Sequence, residues 1–264
     1  MKDLIELSYW DIGYALLMVA FLAILLAYYR LGVTRSLGIA CIRLIAQLSL
    51  IGYVLRYLFD EGKLLYVALM ALVMLLAASR EIMVNQKRRL RGISAWGIGA
   101  ATLFVSSFAV ALYGIFIVVR PDPWYLPQYT IPLLGMIMSN TMSAISLGMD
   151  RLTSAVYDQR ALVEQRLALG QSARDAVRPF VLDCIRTGMT PVINSMATAG
   201  IVALPGMMTG QILAGASPLE AVKYQIMIWL FIAAGVGFGM MVSLRLLEKT
   251  LFDSRQRLRL ERFK

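Results

Sequence analysis

The chain has 264 residues, 59% of them hydrophobic and only 16% charged, with 26 Lys and Arg against 16 Asp and Glu. That balance lies on the apolar side of water-soluble proteins, and the absence of histidine excludes a histidine-ligated metal or a histidine base. The two cysteines, Cys41 and Cys184, are too few for a disulfide scaffold or a thiolate cluster and read as small buried residues.

A membrane-crossing helix needs roughly 20 apolar residues at about 1.5 Å rise each. Seven such blocks are expected in chain order: residues 9–29, 36–55, 64–79, 94–119, 131–149, 188–208 and 226–244. The fold class is therefore all-α, a polytopic integral membrane protein of about seven transmembrane helices. Asp3 and Glu6 precede the first block, and Tyr28-Tyr29-Arg30 follows it where a small-residue cleavage site would stand. The block is expected to remain in the mature chain and not to be cut off as a signal peptide.

Lysine and arginine set the orientation. Segments 30–35, 80–93, 150–186 and 245–264 carry 20 of the 26 basic residues, and the alternate segments carry 5. By the positive-inside rule the N-terminus is outside and the C-terminus inside. The net charge of +10 then reads as topology, with attraction to anionic lipid second. No nucleic-acid partner is expected, because the basic residues spread over every inner segment instead of forming one face.

Within the second block, Arg43 lies too deep to snorkel easily, so it points to a bundle interior or a wet cavity, where Gln47, four residues on, shares its face. The fifth block contains Pro132 and, in mid-span, Asn140. Asn140, Asn194 and Gln47 have two open readings, interhelical hydrogen bonding or a substrate path. Met136, Met207 and Met208 also have two, plain packing or contact with a soft cation.

Segment 150–186 alternates six arginines with five acidic residues, which suits a structured surface facing water and another protein. One helix is expected from about Tyr157 to Leu169, closed by Gly170, and a second after Ser172 and Asp175, which resemble a capping box. Val177, Phe180, Val181 and Cys184 give the second helix an apolar face, and Pro179 suggests a kink or a later start. In the sixth block Pro191, Pro205, Gly206 and Gly210 combine freed carbonyls with a small-residue spacing, so a broken or re-entrant span is expected near Pro205. Gly235, Gly237 and Gly239 allow a close helix crossing in the last block.

Glu164 to Gly170, followed ten residues later by Phe180-Val-Leu182, resembles the cytoplasmic loop by which ABC-importer permeases grip their ATPase, although Gln165 and Arg166 replace the loop's alanines and Asp183 its proline. The stretches 131–142, 164–170, 204–215 and 221–227, in that order, resemble the FetB-type permeases, which include bacterial iron-export permeases and plant aluminium-tolerance permeases. The resemblance implies a single permease domain over 1–264, with a cytoplasmic coupling segment at 150–186 and a basic cytoplasmic tail at 245–264. It further implies two permease chains paired with two ATP-binding subunits in a cell inner membrane, exporting iron or another metal or small solute.

The chain has no phosphate-binding loop of the Gly-x-x-x-x-Gly-Lys-Ser/Thr type. ATP and Mg are therefore expected on the partner, with no cofactor and no metal site in this chain. The expected coupling residues are Tyr157, Glu164, Leu167, Gly170, Arg174 and Phe180. The expected substrate path runs by Arg43, Gln47, Asn140, Asn194, Met136, Met207 and Met208, and the flexing points are Pro132, Pro191, Pro205, Gly206 and Gly210. Catalytic residues are not expected. The alternatives are an exporter of a non-metal solute such as a nucleotide sugar, and a secondary transporter without an ATPase.

Overall fold

The computed structural model describes residues 8–84, 86, 93–253 and 255–259. The acidic start with Asp3 and Glu6, the basic run 87–91 and the last residues of the tail lie outside the described residues. The chain divides into two compact units: the described residues up to Gly62 together with Leu213–Gly215, and Lys63–Ile212 together with the chain from Ala216.

In the first unit α1 (Tyr9–Tyr28) packs on α2 (Thr34–Glu61). The Ser8 hydroxyl accepts from the Trp10 amide at 3.2 Å while Asp11 accepts from the Ser8 amide at 2.8 Å, a reciprocal cap that starts α1. Gly62, left-handed at φ +55°, ends α2. Large side chains such as Trp10 (79% exposed) and Ile42 (72%) cover this unit's surface, which suits a hydrocarbon solvent and not water.

The second unit begins with α3 (Leu64–Val84). A helical stretch over 93–119 follows, in which α4 (Ile93–Leu103) and α5 (Ala109–Tyr113) are each succeeded by a π-helical turn, Phe104–Phe108 and Gly114–Val119. Then come α6 (Pro127–Asp158), α7 (Arg160–Ala168), α8 (Ala173–Thr198), α9 (Gly206–Leu213) and α10 (Pro218–Leu251).

Side-chain neighbours fix the helix directions. Met74 lies on Gly135 and Gln86 reaches Met149, so α3 and α6 run parallel. Ile137 lies on Gly235 and Leu244 on Gly148, so α10 is parallel to both. The 93–119 stretch runs the other way, with Ser106 by Gly239 and Gly114 by Phe231. So does α8, with Asp183 bonded to Arg151, Gly188 on Met240 and Met189 by Gly237. The C-terminal ends of α3, α6 and α10 and the start of α8 therefore share one end of the unit, with Arg80, Arg151, Arg174 and Arg245. Three of the four basic segments expected inside converge at this basic end.

Six helices among the described residues are long and apolar enough to cross a membrane: α1, α2, α3, the 97–119 stretch, α6 and α10. The block expected at 188–208 is not one of them. The first half of α8 carries Arg174, Asp175, Arg178, Asp183 and Arg186, and the helix stops at Thr198. Ala199 is extended, Gly200 is left-handed at φ +83°, and α9 starts only after Pro205. The break runs from left-handed Gly200 to Pro205, which has no amide to donate, near the position the sequence suggested.

Other boundaries shift as well. α6 continues through 149, the expected edge of the membrane, to Asp158, because Leu152 and Val156 extend its buried stripe. At 32 residues it is about 48 Å long, well beyond a hydrocarbon core of about 30 Å. Tyr157 belongs to α6 and not to the short helix after it. Pro179 neither delays nor ends α8: the helix runs through it, although the Asp175 carbonyl one turn earlier is left without its amide.

The core is the seam between α6 and α10, where Ile137, Ile145, Met149, Leu152, Met240 and Leu244 are buried at helical spacing. Gly235 and Gly239 make the approach possible: a Cβ on Gly239 would stand 2.6 Å from Cγ2 of Thr141. Gly237 faces α8 instead.

Candidate functional site

Two features of the second unit carry chemistry, one at each end. At the basic end α6 turns at Gln159 into α7, and Gly170 at φ +85° turns α7 into α8. The Ser172 hydroxyl accepts from the Asp175 amide at 3.2 Å, half of the capping box expected from sequence, but the Asp175 carboxylate accepts from that hydroxyl at 2.6 Å and not from the Ser172 amide. Val163, Ala176 and Val177 are buried between the helices. Arg166 crosses the joint, donating to the Ala176 carbonyl at 3.0 Å with its guanidinium 6.0 Å from the Phe180 ring centre. The Arg151–Asp183 pair at 2.9 Å ties α8 to α6.

The tail folds onto this joint, with the Gln256 side chain accepting from the Ala173 amide at 2.8 Å. A groove of about 730 Å³ runs between α7 and the tail, lined by Glu164, Leu167, Gly170, Ser172, Arg255 and Arg257. Three of the six expected coupling residues thus line one groove. Arg174 lines a separate hollow of about 380 Å³ with Arg178, Arg245 and Glu248. Tyr157 and Phe180 are half-buried supports, Tyr157 lying 5.4 Å under the guanidinium of Arg160. Cys184 stands in the same region, and burial first, then the neighbouring Asp183, push its thiol up to about 12, so it is not a nucleophile at neutral pH.

At the opposite end, Met136 and Met207 line one cavity of about 250 Å³ with Pro132, Gln128, Gln211 and Tyr224. Met208, the next residue, lines a different hollow of about 360 Å³ with Pro205, Gln225 and Trp229. Asn140 does not reach across helices: its amide donates to the Met136 carbonyl of its own helix at 2.8 Å. Asn194 is exposed on α8, with Pro191 one turn earlier on the same helix. Arg43 and Gln47 are exposed on α2, in the other compact unit. Gly206 and Gly210 both lie on α9 with open space around them.

Sequence reasoning missed Gln128, Gln211, Tyr224, Gln225 and Trp229. A signal existed for Gln128: it lies four residues before Pro132, so its carbonyl has no amide of the next turn to bind. Among the described residues no group of three His, Cys, Asp or Glu could hold a metal ion.

A model of an uncharacterised protein family, UPF0014, matches residues 9–252. The chain is 36% identical to the UPF0014 membrane protein slr1647 of Synechocystis over 87% of its own length and 88% of that protein's. It is 30% identical to the probable iron export permease protein FetB of Escherichia coli over 92% of each chain. It is 33% identical to Protein ALUMINUM SENSITIVE 3 of Arabidopsis thaliana over 81% of its length and 77% of that protein's. No solved structure matches.

Proposed function

We propose, from the premise that the chain belongs to the UPF0014 family, that this multi-pass membrane protein is the permease subunit of an ATP-driven exporter. ATP and Mg bind a separate ABC-type subunit, two permease chains pair within the inner membrane, and the cargo is iron or another metal or small solute. The N-terminus is outside and the C-terminus inside. α8 with the turn and α9 serves as a seventh, interrupted crossing, since α6 and α10 run parallel and the chain must return between them.

The observation that supports this reading best is the α7–α8 joint. It is a pair of helices with mixed surface charge, cross-braced by Arg166, standing at the end where the basic segments gather. A segment so braced moves as one piece, so closure of ATPases around ATP displaces the start of α8. The displacement reaches the membrane through α8, whose Pro191 and following break are places where a helix bends at low cost.

Gly170→Val places a β-branched residue at φ +85°, and Glu164→Lys reverses a charge in the groove. Both variants are expected to insert normally and to retain an ATPase that no longer drives transport. Transport by both at the wild-type rate in vesicles removes the coupling assignment, and failure of any ATPase encoded nearby to co-purify removes the ATP-driven reading. The absence of a carboxylate, thiolate or imidazole cluster among the described residues supports a second reading of the cargo, a non-metal solute. Stimulation of ATPase activity by such a solute and not by iron would select it.

A further inference from the structure

The cavity at the end away from the basic segments contains a donor set of one kind. Met136 comes from α6, Met207 and Gln211 from α9, and Met227 from α10. All three methionines are half-buried, packed on the edge of the core but not closed within it. The Gln211 side-chain oxygen is buried and has no hydrogen-bond partner among the described residues. Pro132, on the same wall as Gln128, has no amide proton to give the carbonyl of that residue, four positions earlier. Three methionines and two glutamines thus line one hollow.

We infer that this cavity is a site for a soft monovalent cation of the copper(I) or silver(I) type. Thioether sulfur is polarizable and favours such ions over harder divalent ones. The wall offers no carboxylate to offset a second positive charge, so a doubly charged ion would enter at greater cost. Two donors belong to α9, which follows directly on the broken segment 199–205, so movement of that segment opens the site. As a transport site the assignment rests on the permease reading, whereas binding of the ion does not.

The full-length protein with Cys41 and Cys184, its two free cysteines, replaced by alanine, in detergent and chloride-free buffer, is titrated with silver nitrate and, separately and without oxygen, with ferrous iron. One silver ion per chain is expected to bind saturably, with no saturable ferrous binding at the same concentrations. Met136→Leu and Met207→Leu, which keep volume and remove sulfur, are each expected to weaken silver binding by about 10-fold or more. Met208→Leu, in the neighbouring hollow, is expected to leave it unchanged. If either of the first two variants fails to elute as folded protein, Met227→Leu is read in its place. Absence of silver binding, equally tight ferrous binding, or an equal loss in Met208→Leu overturns the inference. Failure of the ATPase to co-purify, with silver still bound, would overturn only the permease reading.

Discussion

Gly239 and Gly210 lack the same atoms and answer to opposite surroundings. A methyl group on Gly239 would meet Cγ2 of Thr141 at 2.6 Å and Oγ of Ser106 at 3.2 Å. Thr141 is β-branched and fully buried, so it has little room to give way. Gly239→Ala is expected to lower stability by about 1–3 kcal/mol despite its better helix propensity, read as an earlier thermal transition of the purified protein. Around Gly210 there is nothing within 4 Å. Gly210→Ala should stiffen α9 by up to about 1 kcal/mol. If Gly210 is a flexing point, the variant keeps or raises its melting temperature while transport in vesicles slows; unchanged transport would show that α9 moves as a rigid piece. The polarity of Asn140 was plain from sequence, but its partner was not. An amide in a helix can bond across to a neighbour or back to its own turn, and Asn140 does the latter.

At the scale of elements, the start of α8 gathers several small effects. Ser172 caps it from its own chain, and Gln256, itself left-handed at φ +58°, caps it from the tail. Gln256→Ala is expected to loosen the joint by about 1 kcal/mol, the usual cost of a lost cap, seen as faster hydrogen exchange at Ala173 with the global transition unmoved. The tail that delivers Gln256 is held by Asp253, whose carboxylate accepts from the amides of Arg255 and Arg257 at 2.9 and 2.8 Å. The Arg257 amide, then the Arg257 side chain and the Arg255 amide, hold its pKa below the ordinary carboxylate value. A lowered folded pKa means that the stabilisation is fully present above the unfolded value of about 3.9 and is lost as the pH falls through the lower folded one. Protection of the Arg255 and Arg257 amides, relative to their intrinsic exchange at each pH, should therefore hold from neutral pH to about pH 4 and be lost only below it. Loss of that protection already at pH 5 would exclude Asp253 as the clasp.

For the whole molecule, the parallel run of α3, α6 and α10 makes the sidedness testable with few probes. Single cysteines at Gln171 and Arg255 are expected to react with an impermeant maleimide only from the cytoplasmic face, and those at Gln128 and Ala216 only from outside. Cys41 is replaced first, while Cys184 can stay, since its buried thiol is pushed up to about 12. Labelling of Gln171 and Gln128 from the same face would break the proposed topology. The sequence alone determined the class, because runs of about 20 apolar residues have few folded outcomes other than helices in lipid. It also determined the cap at Ser172, the turn at Gly170 and the break near Pro205, all of which depend on residues within one or two turns of each other. Only the tertiary structure decided that Met207 shares a cavity with Met136 while Met208 turns to another, that the tail caps α8, and that α6 runs on to Asp158. Those outcomes depend on which helices become neighbours, and packing between distant segments leaves no mark in local spacing.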